Sequence, residues 1–146
     1  MAVELVDANC VFCKIVAGQI PCHKVYEDEL MLAFLDIGPI VRGHTLVVPK
    51  NHYANVIETP PEIVGEINAR MGKLVHAVLA ATGTKACHVL TNCGEEASQS
   101  VPHLHYHLLP RYAGDGYRLA WPTGQLEAGE AGVIKAGIAA ALAGKS

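Results

Sequence analysis

The run Gln99-Ser-Val-Pro-His103-Leu-His105-Tyr-His107-Leu-Leu-Pro110 constrains this chain more than any other segment. Its histidines recur with a period of two, which matches the alternation of side chains along a β-strand and not the 3.6-residue repeat of a helix. The pattern predicts a strand from about Leu104 to Leu109. One face carries three imidazoles, and the other carries Leu104, Tyr106 and Leu108 for a core. Histidine alone has an ordinary pKa near neutrality, so a row of it can attack, donate or accept protons at working pH. Two uses compete at this point. The three rings can hold one zinc that keeps a position open for water. They can also form a metal-free nucleophile site of the kind that suits phosphate chemistry.

The remaining patterns supply a scaffold for that strand. Val11 to Ala17, followed by Gly18, fits a short helix with a glycine stop. Lys24 to Glu27 and Met31 to Leu35 are β-prone runs joined by Asp28-Glu-Leu30, which predicts a hairpin. Thr45-Leu-Val-Val-Pro49 reads as a buried strand ended by proline. From Glu62 to about Ala81, the residues Ile63, Ile67, Met71, Leu74, Val75 and Val78 recur at helical spacing, with Gly83 just beyond. Ala86 to Thr91 and the histidine run are the last two strands, joined by a polar loop from Asn92 to Pro102. A weak Gly/Ala-rich helix is expected from about Glu130. Hairpin, strand, helix and strand pair together predict an α+β fold with an antiparallel sheet of about five strands.

Composition narrows the function. With 146 residues and 51% hydrophobic content, one domain with a proper core is expected. The net charge is −3 and the 11 basic residues are scattered, which argues against long nucleic acid and leaves a single nucleotide as a partner. The N-terminal residues lack a charged-then-apolar signal pattern, and no apolar run approaches the ~18 residues of a membrane span. An odd count of five cysteines then predicts reduced thiols and a cytoplasmic protein.

His103-Leu-His105-Tyr-His107-Leu-Leu resembles the His-φ-His-φ-His-φ-φ motif, with φ apolar, of the histidine triad (HIT) superfamily of nucleotide hydrolases and transferases. Asn9-Cys-Val-Phe-Cys-Lys-Ile15, Phe34-Leu-Asp-Ile37, Gly43-His-Thr-Leu-Val-Val-Pro-Lys50, Gln99-Ser-Val and Trp121-Pro122 resemble its Hint and bacterial Hit branches in order. The likeness covers about residues 9 to 124 and leaves 125 to 146 as a C-terminal extension. It implies a homodimer whose sheets join, and nucleophilic catalysis at phosphorus. His105 would attack the α-phosphorus of a nucleoside 5′-phosphate derivative to form a nucleotidyl-imidazole intermediate that water hydrolyses. His107 would bond the phosphate, His44 would help relay the proton, and Ser100 and Gln99 would contact phosphate and leaving group. Asn92 matches a phosphate-binding asparagine and Asp36 the residue that holds the ribose hydroxyls. Val11, Phe12, Ile15, Phe34, Leu35 and Ile37 would form the apolar slot around a purine base.

Cys10-x-x-Cys13 alone is half of a zinc site. The resemblance implies that His52 and His103 complete it as a structural zinc centre, leaving His105 and His107 for chemistry. Cys22, Cys87 and Cys93, and His23, His76 and His88, have no such partners and read as ordinary buried or surface residues. Trp121-Pro-Thr-Gly124 has threonine where the Hint signature has proline, in a segment that shapes leaving-group preference in that branch. The implied reaction is hydrolysis of purine nucleoside 5′-phosphoramidates to the monophosphate and an amine. Dinucleoside polyphosphate hydrolysis, as in the Fhit branch, and non-catalytic nucleotide binding are the alternatives.

Overall fold

A hairpin starts the sheet. In the computed structural model, which describes residues 4–118 and 122–144, β1 (His23–Glu27) and β2 (Met31–Leu35) pair antiparallel. The Asp28 carboxylate shapes their turn by accepting from the Leu30 and Met31 amides at 2.8 and 2.9 Å. Ahead of it, α1 (Val11–Val16) is capped by the Cys10 sulfur and ends before Gly18, whose φ is 77°. β3 (Thr45–Pro49) pairs with β2, and α2 (Pro61–Thr82) then crosses the sheet. Proline opens α2 at a position where its missing N–H costs nothing, and Gly83 closes it with a left-handed φ of 71°. β4 (Ala86–Thr91) and β5 (Tyr106–Arg111) complete an all-antiparallel sheet in the order β1-β2-β3-β5-β4. The α+β fold with five strands is as the sequence predicts, and α3 (Glu130–Gly144) is the expected C-terminal helix. Among the described residues, no helix is long and apolar enough to cross a membrane.

Period two divides the sheet into two working faces. Met31, Ala33, Val47, Leu104, Tyr106 and Leu108 bury against Ile67, Met71 and Leu74 of α2. These three helix residues are spaced i, i+4, i+7 and form one stripe. Leu32, Phe34, Leu46 and Val48 point the other way and pack with Cys10, Phe12 and Cys13 around α1. Ladder register sets Phe34 opposite Leu46, Leu46 opposite His107 and His107 opposite Leu90, so these four side chains cross the α1 face in one row.

One boundary differs from the sequence prediction. β5 begins at Tyr106, two residues after Leu104, because the last ladder pair with β3 is Val47 with Tyr106. Beyond it the backbone is held by other groups. The Leu104 amide donates to the Tyr53 carbonyl at 2.6 Å and the Thr91 hydroxyl donates to the His105 carbonyl at 2.7 Å. Alternation survives without the ladder, since Leu104 stays in the α2 core while His103 and His105 face α1.

Candidate active site and candidate metal centre

The three histidines divide into two sites on one face. His105 is 3% exposed, and its ring lies 5.0 Å from that of Phe12 in an edge-on arrangement. Its Nδ1 sits 2.7 Å from the carbonyl oxygen of His103. A carbonyl can only accept, so Nδ1 carries the proton and Nε2 keeps its lone pair. His44 and His107 are linked by a second fixed pattern. The Ile40 amide donates to His44 Nδ1 at 3.2 Å, which leaves His44 Nε2 to donate to His107 Nδ1 at 2.9 Å. His107 Nε2 is thereby left with a proton to give. Burial lowers the pKa of His44 and of His105, and burial with the neighbouring charges of His105 and His44 lowers His107 to about 4. Asp36 pulls the other way, its carboxylate 3.7 Å from His44 Nδ1. At neutral pH the cluster is one of uncharged imidazoles, with one free lone pair and one free N–H set by the backbone.

His103 turns away from this chemistry. It is fully buried, and its Nε2 donates to the Pro49 carbonyl at 2.9 Å, so Nδ1 offers a lone pair. That atom lies 3.4 Å from Cys10 Sγ, 3.6 Å from Cys13 Sγ and 3.2 Å from His52 Nδ1. Cys13 Sγ is 3.4 Å from His52 Nδ1, and all four ligand atoms lie within 4.8 Å of one another. A tetrahedral zinc with bonds of ~2.0–2.3 Å sets its ligands about 3.3–3.8 Å apart, so this donor set has the size and the softness for that ion. Burial pushes the Cys13 thiol up in pKa, against the lowering by the Asp7 amide. A cation that stabilises the thiolate reverses that effect.

The expected nucleotide-binding residues do not all converge on one place. Phe12 and Phe34 are buried and stack edge-on at 5.8 Å beside His105, with Ile15 packed behind them. Val11 and Ser100 line a neighbouring cavity of about 320 Å³ with Asn9 and Cys10. Asn92 lies on the other side, in a cavity of about 310 Å³ shared with His107. Asp36 stands beside His44, one carboxylate oxygen accepting from the Gly38 amide at 2.8 Å. Leu35 is a correction. It follows the odd-numbered residues of β2 onto the α2 face, where it lines a groove with Leu74, Ala77 and Val78, because neighbours in a strand cannot share a face. Ile37 is not drawn into the slot either, being 87% exposed in the turn after β2. The Gln99 amide is consumed by the scaffold, donating to the Ala54 and Val101 carbonyls at 2.7 and 3.0 Å and accepting from the Gly94 amide at 2.9 Å. Trp121 falls outside the described residues.

Several residues that set this geometry carry no sequence signal. Ile40 and Pro49 act through an amide and a carbonyl that every residue or nearly every residue has, and Thr91 acts through the hydroxyl that holds His105. Tyr117, on the wall of the His107 cavity, is ten residues beyond the triad, in a loop with no periodicity.

Comparison with known proteins bears on the fold and the family. The family model described as the HIT domain matches residues 17–114. The Hit protein of Bacillus subtilis is 47% identical over 116 residues, covering 79% of this chain and 80% of that protein. Adenosine 5′-monophosphoramidase hnt1 of Schizosaccharomyces pombe is 43% identical over 116 residues, 79% of this chain and 84% of the relative. Adenylylsulfatase HINT3 of Arabidopsis thaliana is 41% identical over 107 residues, 73% of this chain and 54% of the longer plant protein. Among solved structures, a Streptococcus mutans protein superposes with a TM-score of 0.89 at 39% identity, covering 93% of this chain and 87% of its own. A HIT family protein of Bacillus anthracis gives 0.84 at 42% identity, with 92% and 97% covered. Domain match, sequence relatives and superposed folds converge, and the chain belongs to the HIT superfamily, in its Hint/Hit-like branch.

Proposed function

We propose that this protein is a nucleotide hydrolase that cleaves nucleoside 5′-phosphoramidates at the α-phosphorus through a nucleotidyl-His105 intermediate, releasing a purine nucleoside 5′-monophosphate. The observation that carries this reading is the hydrogen bond from His105 Nδ1 to the His103 carbonyl, which presents a neutral Nε2 lone pair beside an aromatic slot. A residue used only for binding needs no such lone pair. Relatives named as a phosphoramidase and an adenylylsulfatase support the adenylyl side of the substrate and leave the other side open.

The base would lie against Phe12 and Phe34, with Asp36 accepting from the ribose hydroxyls. His105 Nε2 attacks phosphorus, the new N–P bond forms, and the P–N bond to the amine breaks. His107 Nε2–H, oriented by His44, bonds the phosphoryl oxygen on which charge grows. The amine leaves with a proton from the Ser100 hydroxyl, which the imidazole pair resupplies. Water then attacks phosphorus, its proton restores the imidazole pair, and the N–P bond breaks to free His105. A zinc ion held by Cys10, Cys13, His52 and His103 would brace α1 and the segment before β5, a structural contribution. His103 also carries the carbonyl that fixes the tautomer of His105. The protein is proposed to work as a homodimer, with the free edge of β4 and the outer side of α2 as the contact.

The test is monophosphate release from adenosine 5′-phosphoramidate and from diadenosine polyphosphates, with wild type and His105→Ala. Preference for the phosphoramidate, lost by roughly three orders of magnitude or more in the variant, is expected. Preference for the polyphosphate would move the protein to the Fhit-like class. Unchanged turnover in the variant would overturn the nucleophile assignment.

A further inference from the structure

The orientation of His105 hangs on one acceptor, the His103 carbonyl, 2.7 Å from its Nδ1. That carbonyl and the Leu104 amide belong to one planar peptide unit, so a bond that fixes the amide also aims the carbonyl. The Leu104 amide donates to the Tyr53 carbonyl at 2.6 Å, and one residue earlier the His103 amide donates to the Val101 carbonyl at 2.9 Å. Both acceptors lie outside the strands, since β3 ends at Pro49 and β5 begins at Tyr106. Neither is held by a ladder of the sheet, so their own positions need another support.

A single side chain ties the two together. Gln99 Nε2 donates to the Ala54 carbonyl at 2.7 Å, next along the chain from Tyr53, and to the Val101 carbonyl at 3.0 Å. Its Oε1 accepts from the Gly94 amide at 2.9 Å, while the Gln99 backbone amide donates back to the Gly94 carbonyl at 3.1 Å. Both hydrogens of the side-chain amide are thereby used, and the Val101 carbonyl accepts from Gln99 and His103 together. Hydrogen bonds in such a chain polarise one another, so a well-held His103 peptide is also a better acceptor for the imidazole. The neighbouring Ser100 is exposed and lines the cavity beside Cys10, whereas Gln99 is half-buried and commits its donors to the backbone. Resemblance sets Gln99 against phosphate and leaving group, but the fold leaves it no free donor for either.

We propose that Gln99 is a positioning residue that aims the His103 carbonyl, and through it fixes the direction and tautomer of His105, without touching substrate. The assignment rests on the hydrolase reading given above. The experiment uses Gln99→Met, which keeps the length but has no amide, and Gln99→Glu, which keeps the shape but at neutral pH has no hydrogen to donate. Should one variant not fold, the other decides. Asp28→Asn, a change in the remote β1–β2 turn, is the control. Two readouts are taken: the imidazole nitrogen NMR spectrum of the substrate-free protein, and kcat and KM for adenosine 5′-phosphoramidate and its N-propyl derivative. Wild type and Asp28→Asn should show His105 protonated on Nδ1, and the Gln99 variants a mixture of tautomers. In those variants kcat should fall by roughly tenfold on both substrates alike, as slight misplacement of a nucleophile demands, with KM changed by less than about twofold. A loss confined to KM, or one that differs between the two leaving amines, would show contact with substrate and overturn the proposal. A His105 signal unchanged in the Gln99 variants overturns it as well. If wild type turns over neither substrate the hydrolase reading fails, and the spectrum alone decides: mixed tautomers in the variants support the positioning role and an unchanged signal refutes it.

Discussion

Cys13→Ser separates the metal reading from a merely buried thiol. Cys13 is 4% exposed, lies 3.4 Å from His52 Nδ1 and 3.6 Å from His103 Nδ1, and has no room to be replaced by water without rearrangement. With four protein ligands the site is closed, so losing one removes a bond that nothing else on the chain supplies. An ion present at a thousand times its dissociation constant stabilises the fold by about 4.1 kcal/mol. If the serine weakens affinity by about a hundredfold, that contribution falls to about 1.4 kcal/mol, a loss of about 2.7 kcal/mol. At about 2–4 °C per kcal/mol for a chain of this size, Tm should fall by roughly 5–11 °C. The assay is metal content by mass spectrometry beside thermal unfolding, each with and without chelator. Wild type should carry one zinc per chain and lose stability on chelation, Cys13→Ser should carry little and respond weakly, and Cys93→Ser should match wild type. Because the His103 carbonyl orients His105, the serine variant should lose kcat more than it changes KM. Full zinc content in Cys13→Ser, or metal-free wild type with a chelator-insensitive Tm, would refute the reasoning.

Gly43 has a φ of 85°, and a Cβ there would lie 2.6 Å from Thr82 Cγ2 and 3.1 Å from Pro110 Cγ. Gly43→Ala should therefore lose about 2 kcal/mol or more by urea unfolding and reduce turnover by displacing His44, whereas a loss under about 0.5 kcal/mol would contradict that crowding. Asp28 is desolvated, which raises its pKa, but the Tyr26 hydroxyl, the Leu30 and Met31 amides and Arg70 outweigh that and hold it at about 2. A carboxyl with a depressed folded pKa adds stability above its unfolded value and loses it as pH falls from about 4 towards 2. With a quarter of the side chain exposed, about 1 kcal/mol is expected, and Asp28→Asn should flatten that part of the urea-midpoint profile. A variant profile as steep as wild type would count against the network. For turnover, burial lowers the pKa of the attacking His105, so the acid limb of monophosphate release should lie below the usual imidazole range. An acid limb centred at the unperturbed value of about 6.5 would show that burial does not govern this ring.

Sequence periodicity carried the fold because each buried element has an uninterrupted pattern. Ile67, Met71 and Leu74 form a helical stripe, and the odd and even residues of β2 and β3 go to opposite faces, as alternation requires. The same rule, applied strictly, excludes Leu35 from the slot that holds Phe34, since adjacent strand residues cannot both face α1. Family likeness placed them together because it matches positions and not directions. What stayed hidden in the sequence depends on groups without side-chain identity: the Ile40 amide on His44, the Pro49 carbonyl on His103 and the His103 carbonyl on His105. Gln99 was legible as a motif residue, but its amide bonds lie within the loop, and only the folded geometry reveals that they are all used.

The histidine run shows why one alternating segment can serve two purposes. A continuous ladder to Leu104 would have held His103 in line with the sheet; instead β5 stops pairing at Tyr106, and the freed backbone bends so that His103 meets Cys10, Cys13 and His52. The carbonyl released from the ladder at His103 becomes the acceptor for His105 Nδ1. Thr91 and Tyr53 take up the neighbouring backbone groups, the His105 carbonyl and the Leu104 amide. A single interruption of β-pairing thus supplies both the extra ligand and the tautomer. Restoring the ladder by sequence change would draw His103 away from Cys10, Cys13 and His52 and misdirect its carbonyl, so reduced kcat is expected together with the loss of metal-linked stability.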